Sequence, residues 1–190
     1  MSLKTIGVLA LQGSYREHTA SLKRLHNVLP LEVKSQEDIE RIDSLIIPGG
    51  ESTTIGKLLK DFNLSSIICD KIHKGMPVWG TCAGMILLAE KIIDEDCVHL
   101  GVMDIGVRRN AYGSQLDSFT CSAVLNGVSD EPMKLVFIRA PWIENIGRDV
   151  EILGIHEGKI VAARQNNMLA TSFHPELTDD MTFHRYFAAF

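Results

Sequence analysis

Met76-Pro77-Val78-Trp79-Gly80-Thr81-Cys82-Ala83-Gly84-Met85-Ile86-Leu87-Leu88-Ala89 decides the fold. A short apolar run enters a cluster of small residues, and a second apolar run leaves it. That pattern predicts a buried strand, a sharp turn and a buried helix, with Cys82 at the turn. Gly80 and Gly84 permit the tight turn and the close approach of strand to helix, because a Cβ at either place would clash.

The same alternation runs outward from this point. Thr5-Ile6-Gly7-Val8-Leu9-Ala10-Leu11 is short and continuously apolar, as expected for a central parallel strand covered on both faces. Gln12-Gly13-Ser14 breaks it, and Tyr15, His18, Leu22, Leu25 and Leu29 then recur at helical spacing. Leu31–Lys34 and Ser44–Ile47 predict two more strands, and Ile55, Leu58, Leu59 and Phe62 another amphipathic helix, followed by Ser65 to Lys74. From about Val102 the pattern changes to strand-like pieces: Asp104–Arg109, Ser118–Leu125, Leu135–Ile138, Val150–Ile155, Lys159–Arg164 and Leu169–Phe173. Glu157-Gly158 reads as a hairpin turn, and a last helix from about Asp179 is expected to bury Phe183, Phe187 and Phe190. These readings predict an α/β fold: a three-layer open sheet with a parallel core and antiparallel edge strands. No linker or repeat interrupts the chain, so residues 1–190 are expected to form one domain.

The turn at Cys82 has the form of a nucleophile elbow, G-x-S-x-G, with cysteine for serine. It holds its side chain at the carboxyl end of the sheet, at the start of a helix where a thiol becomes reactive, and the N–H of Ala83 is placed to stabilise an oxyanion. Taken alone, G-x-C-x-G is as readily a structural cysteine between packing glycines. His174-Pro175-Glu176 moves the balance toward catalysis, since an imidazole and a carboxylate two residues apart in an extended segment lean to one side. Glu176 then orients His174 toward the thiol; the bland alternative is a surface loop with a helix-entry acid.

Pro48-Gly49-Gly50-Glu51-Ser52-Thr53-Thr54 follows a strand and precedes a helix. Its consecutive glycines leave N–H groups free for a ligand, and beside Cys82 a second oxyanion donor fits better than a phosphate loop, since G-x-x-x-x-G-K-[ST] is absent. Arg109 and Arg139 suit a substrate carboxylate by bidentate pairing, or are solvated edge charges.

The chain has 190 residues, 45% of them hydrophobic, and a formal net charge of −5. That size supports a full core, and the acidic balance gives no field for nucleic acid or an anionic membrane. No apolar run approaches the ~20 residues that span a bilayer, and Met1-Ser2-Leu3-Lys4 lacks a signal peptide, so a cytoplasmic protein is expected. Cys69, Cys97 and Cys121 read as small buried hydrophobes, with no C-x-x-C pair, and the seven histidines show no H-x-x-x-H spacing for a metal.

Together these residues resemble the triad, or class I, glutamine amidotransferases: a G-x-C-x-G elbow, a Gly-Gly loop upstream and H-P-E downstream. Within that class, Leu11-Gln12-Gly13, Gly49-Gly50-Glu51-Ser52-Thr53-Thr54, Arg109-Asn110-Ala111-Tyr112-Gly113 and Phe137-Ile138-Arg139-Ala140-Pro141 resemble the glutaminase subunits of pyridoxal 5′-phosphate synthases, from end to end of the chain. The resemblance implies the flavodoxin-like sheet of that class and hydrolysis of L-glutamine to glutamate and ammonia. Cys82 would form a glutamyl thioester, His174 would move the proton, Glu176 would orient His174, and Gly50 and Ala83 would supply oxyanion N–H groups. Gly49, Gly50, Glu51, Arg109, Ile138 and Arg139 match the glutamine-binding positions. No bound cofactor is implied. The implied partner is a (β/α)8-barrel synthase subunit that uses the ammonia for vitamin B6 biosynthesis, in a large hetero-oligomeric ring on which glutaminase activity depends. Gln12 is expected to couple that partner to the Gly49-Gly50 loop. Ser114 stands where the family string has arginine and Trp142 where it has histidine, both bearing on the rim or the partner contact. The chain ends soon after its last expected helix begins, so a longer native tail is expected. Other readings are the amidotransferase subunit of a different synthase, a free-standing hydrolase of γ-glutamyl peptides, and an idle regulatory module.

Overall fold

Residues in the first strand point alternately up and down, and the two sets land in two different cores. Leu9, Ile47 and Val78 pack on one face of the sheet, and Val8, Ile46 and Trp79 on the other. The structure, a computed structural model, describes residues 3–109 and 118–190. Its central strands are β1 (Lys4–Leu9), β2 (Val28–Val33), β3 (Ser44–Ile47) and β4 (Val78–Thr81). With β12 (Met168–Thr171) they form a parallel core in the order β2-β1-β3-β4-β12.

The sheet continues from β12 through β11 (Lys159–Gln165), β9 (Trp142–Ile146), β6 (Met103–Arg108) and β5 (Ala89–Ile92). The pairings β12–β11, β11–β9 and β9–β6 are antiparallel, and β10 (Glu151–His156) pairs antiparallel with β11. An α/β sheet with a parallel core and an antiparallel flank is therefore what the chain forms. β7 (Ser118–Leu125) and β8 (Ser129–Ile138) are the exception to the expected edge strands, because they leave the main sheet and pair with each other. Leu125, Met133, Leu135 and Phe137 on this ribbon join the Trp79 side of the core, so the ribbon covers a sheet face rather than extending an edge.

The helices fill the two outer layers. α2 (Gln36–Glu40), α3 (Ser52–Asp61), α4 (Ser65–His73) and α5 (Ala83–Leu88) pack their apolar residues into the Leu9 face. α1 (Tyr15–Leu22) and α6 (Thr182–Ala188) cover the other face. There Trp79 lies 4.8 Å from Phe183 and 5.6 Å from Phe187, ring centre to ring centre, and donates its indole N–H to Thr171 Oγ1 at 3.0 Å. Phe190, expected to be buried, is only partly so and lies beneath the Arg164 guanidinium at 4.5 Å.

Two local expectations change. The helical spacing that reached Leu29 stops at Leu22, and Leu29 pairs with Thr5 in β2. Pro30 disfavours helix at the residue before it, and an extended Leu29 follows. Ala89 ends α5 and opens β5. Among the described residues no helix is long and apolar enough to cross a membrane.

Candidate active site

The elbow forms because no side chain intervenes at two points. A Cβ on Gly80 would lie 2.5 Å from the backbone of Gly84, and a Cβ on Gly84 would lie 2.1 Å from the carbonyl oxygen of Ile47. α5 therefore sits directly on β3 and β4. Cys82 takes the turn with φ 49° and ψ −101°, a conformation that disfavours any residue with a Cβ by about 1–3 kcal/mol. Its N–H donates to the Thr171 carbonyl on β12 at 2.7 Å, and its carbonyl accepts from Met85 and Ile86. These bonds hold the strained residue in place. The N–H of Ala83, first in its helix, has no intrahelical acceptor.

β12 lies beside β4 in register, Thr171 opposite Thr81, so the chain leaving β12 arrives next to Cys82. Here the structure corrects the expected extended segment. Pro175–Leu177 is one turn of 3-10 helix with proline at its start, and His174 precedes it at φ −111°, ψ 83°. The turn, rather than strand pleating, brings the two side chains together: His174 Nδ1 donates to Glu176 Oε1 at 2.7 Å. The His174 N–H is anchored to the Val136 carbonyl of β8 at 2.8 Å.

Both groups are buried and both are shifted. Burial opposes charge on His174, but its hydrogen bond to Cys82 and the bond and charge of Glu176 outweigh this and push it up to about 10. Burial likewise opposes charge on Glu176, yet neighbouring His18, the His174 bond and the Ser14 hydroxyl hold it down to about 2. Glu176 is thus ionised and His174 protonated at neutral pH.

The remaining predicted residues gather around this pair. A cavity of about 320 Å³ is lined by Gln12, Gly49, Gly50, Glu51, Cys82, Ala83, Arg109, Ile138, Arg139 and His174 among others. All eleven sequence-predicted site residues are accounted for: ten line the cavity, and Glu176 stands behind His174. Gln12 Oε1 accepts the Glu51 N–H at 2.8 Å, and the Gly49 carbonyl accepts the Ser14 N–H at 2.9 Å. The second bond turns the N–H of the Gly49–Gly50 peptide away from the Ser14 loop, since the two groups of a trans peptide point oppositely. Arg139, at φ 45°, holds its guanidinium 3.9 Å from Glu51 at the mouth. Arg109 sets one nitrogen 3.0 Å from each oxygen of Glu95. The Cys82 sulfur lies 3.9 Å from the Ile138 carbonyl oxygen.

Ser14 was not among the expected site residues, though its hydroxyl donates to Glu176 Oε1 at 2.7 Å. So was the role of His18, read only as one of an apolar helix face; it is fully buried behind Glu176. A polar residue amid the buried stripe of α1 was the available signal. Trp142 lies in β9 with Lys159 Nζ 3.7 Å from its ring centre, while Ser114 lies outside the described residues.

A cysteine on a strained elbow, an imidazole and a buried carboxylate at the turn after the neighbouring strand, and a glycine loop opposite make an arrangement suited to cysteine amidohydrolase chemistry on an α/β sheet. The chain belongs to the SNO glutamine amidotransferase family, whose model matches residues 8–189. It is 56% identical over 182 residues to the pyridoxal 5′-phosphate synthase subunit PdxT of Thermoanaerobacter sp. strain X514, covering 96% of each chain. It is also 56% identical over 186 residues to the PdxT subunit of Ruminiclostridium cellulolyticum, covering 98% of each. A crystal structure of a glutamine amidotransferase superposes with a TM-score of 0.89 at 42% identity over 97% of both chains. PurLQS from Thermotoga maritima superposes with a TM-score of 0.72 at 13% identity, a likeness of fold alone.

Proposed function

We propose that the protein is the glutaminase subunit of a pyridoxal 5′-phosphate synthase, a single amidotransferase domain over residues 1–190 working in the cytoplasm. The observation that carries this reading is the Cys82–His174–Glu176 constellation at a cavity of about 320 Å³, large enough to hold one amino acid. The Cys82 sulfur, its thiol proton passed to His174, attacks the side-chain amide carbon of glutamine, forming a C–S bond. Charge moves to the amide oxygen, where the N–H groups of Gly50 and Ala83 receive it. His174, protonated at neutral pH, gives its proton to the departing nitrogen, so the C–N bond breaks and ammonia leaves. Water, deprotonated by His174, then attacks the glutamyl thioester, releasing glutamate and restoring the sulfur.

The mouth suits the other end of the substrate. Glu51 and Arg139 present opposite charges side by side, a match for the α-ammonium and α-carboxylate of an amino acid. Arg109, with Gly49 and Ile138, completes the glutamine set, and the pairing with Glu95 fixes the direction of its guanidinium. Ammonia passes to the (β/α)8-barrel synthase subunit within a large hetero-oligomer, and the glutaminase chemistry itself calls for no cofactor. Free ammonia would protonate in water and be lost, so turnover is tied to the partner. Gln12 is the coupling residue: its bond to the Glu51 N–H holds the Gly50–Glu51 peptide, the neighbour of the Gly49–Gly50 peptide.

The decisive measurement is ammonia release from L-glutamine, with and without the synthase subunit, for wild type, Cys82→Ala and Gln12→Ala. Partner-stimulated release abolished in Cys82→Ala is expected, with Gln12→Ala losing stimulation while still binding glutamine. Strong release without a partner would mean a free-standing hydrolase, and no release under either condition would mean a regulator. Unchanged stimulation in Gln12→Ala would refute the coupling role.

A further inference from the structure

Glu176 has one oxygen fully engaged and one nearly bare. Oε1 accepts from His174 Nδ1 and from the Ser14 hydroxyl, each at 2.7 Å. Oε2 is buried and, among the described residues, has no hydrogen-bond partner; the approaching polar atom is His18 Nε2 at 3.4 Å. His18 has no exposed surface and stands in a closed polar row. Its Nε2 is also 3.2 Å from Thr81 Oγ1, and its Nδ1 is 3.1 Å from His184 Nε2 on α6.

The geometry points to His18 as a positioning residue of the triad, a neutral imidazole whose Nε2–H, 3.2 Å from Thr81 Oγ1 and 3.4 Å from Glu176 Oε2, presents its positive end to that oxygen and keeps Oε1 turned toward His174. This rests on the glutaminase reading above. The assignment follows from one chemical fact: a carboxylate only accepts. Nε2 of His18 must then carry the proton, which leaves Nδ1 bare in a neutral ring. His184 must fill that lone pair through its own Nε2–H, leaving His184 Nδ1 bare. His184 Nδ1 is the buried ring nitrogen with no hydrogen-bond partner among the described residues, and a bare acceptor is more tolerable there than an orphaned N–H. Both rings stay neutral because burial lowers their affinity for a proton, His18 against the pull of Glu176 and Glu17, and His184 to about 3 with His18 and Arg24 adding to the effect. His174, the other charged group facing His18, also disfavours a second positive charge. A directed chain results, from His184 through His18, Glu176 and His174 to Cys82.

Without His18 the carboxylate would lose this approach on Oε2, rotate more freely and hold a proton to higher pH. The test uses the chain together with its synthase subunit and compares wild type, His18→Leu and His18→Gln. Nitrogen-15 spectra of wild type should show His18 as the neutral Nε2–H tautomer from pH 5 to 8. His18→Leu should lower kcat roughly tenfold, the lower end for a hydrogen bond to a charged group, with KM for glutamine within about twofold. It should also move the acid limb of Cys82 alkylation by iodoacetamide to higher pH. His18→Gln, whose amide N–H can reach Oε2, should regain most of the rate and return the limb. A protonated or Nδ1–H His18 would overturn the assignment, as would a folded His18→Leu with wild-type rate and limb, or a His18→Gln as impaired as His18→Leu. Should His18→Leu not fold, His18→Gln and the wild-type tautomer decide. Absence of ammonia release by the wild-type complex would sink the glutaminase reading instead, which the tautomer measurement does not depend on.

Discussion

Replacing Gly49 with alanine would drive a methyl group into His174, the proposed catalytic base. A Cβ at that position lies 2.3 Å from His174 Cε1, 3.0 Å from its Nδ1 and 3.4 Å from the Cys82 Cβ. Carbon atoms rest at about 3.5 Å or beyond, so the ring must withdraw by roughly 1 Å. Its backbone cannot follow, because the His174 N–H is tied to Val136 at 2.8 Å. Withdrawal therefore means swinging the side chain, which breaks the 2.7 Å bond to Glu176. A misplacement of that size is worth about a hundredfold in rate, and the broken charge-assisted bond about 1.5–3 kcal/mol of stability. Gly49→Ala should consequently lose about two orders of magnitude in partner-stimulated ammonia release and alkylate more slowly at Cys82, while circular dichroism shows an intact fold. Gly127→Ala is the control: its φ is +70° but nothing lies within 4 Å of the added methyl, so it should lose stability and keep activity. A folded Gly49→Ala working within threefold of wild type would refute the claim that this glycine makes room for the imidazole.

Gly84→Ala meets backbone instead of a side chain, the Ile47 carbonyl oxygen at 2.1 Å, so α5 must lift from β3 and calorimetry should show a loss of about 3 kcal/mol; an unchanged Tm would contradict it. The triad also predicts how stability follows pH. His174 is raised to about 10, so the stability it lends is full below its unfolded value near 6.5 and is lost as pH rises toward 10. Glu176 is lowered to about 2, so its contribution is full above 4.5 and is lost as pH falls toward 2. Cys82→Ala removes one of the groups that raise His174 and should flatten the alkaline slope of Tm against pH; a slope identical to wild type would exclude the Cys82–His174 hydrogen bond as its source.

β1, β3, β4 and β12 were legible because each is a short, mostly apolar run covered on both faces, which leaves no alternation to confuse, whereas the edge strand β2, half-exposed and interrupted by Pro30, was legible only in its last residues. The elbow was legible for a steric reason, since only glycine fits at 80 and 84. What escaped was short or half-exposed. α2 has five residues and one buried side chain, Ile39, so periodicity could not reveal it, although the Ser35–Asp38 capping box stood in the sequence. β9, with three exposed residues of five, has too little apolar pattern to stand out, and β5 reads as the tail of α5. The ribbon of β7 and β8 was visible as strands but not as a separate sheet, because pairing partners are chosen in three dimensions. At the site, the grouping of Cys82, His174 and Glu176 proposed as a triad could be expected from side-chain chemistry, whereas the contacts of Ser14 and His18 needed the position of α1 relative to Glu176. Residues 110–117, which hold most of the Arg109-Asn110-Ala111-Tyr112-Gly113 string, lie outside the described residues.

The insertion of β12 beside β4 has a consequence for synthesis on the ribosome. The proposed nucleophile, Cys82, and its glycine loop belong to the early half of the chain, but the proposed base and its carboxylate follow a strand made near the end. A nascent chain can build β1 through β4 and still lack a working site, because the Thr171 carbonyl that holds Cys82 and the imidazole that serves it arrive together. Glutamine is thereby safe from partly made copies, and chemical competence reports that translation has passed Glu176.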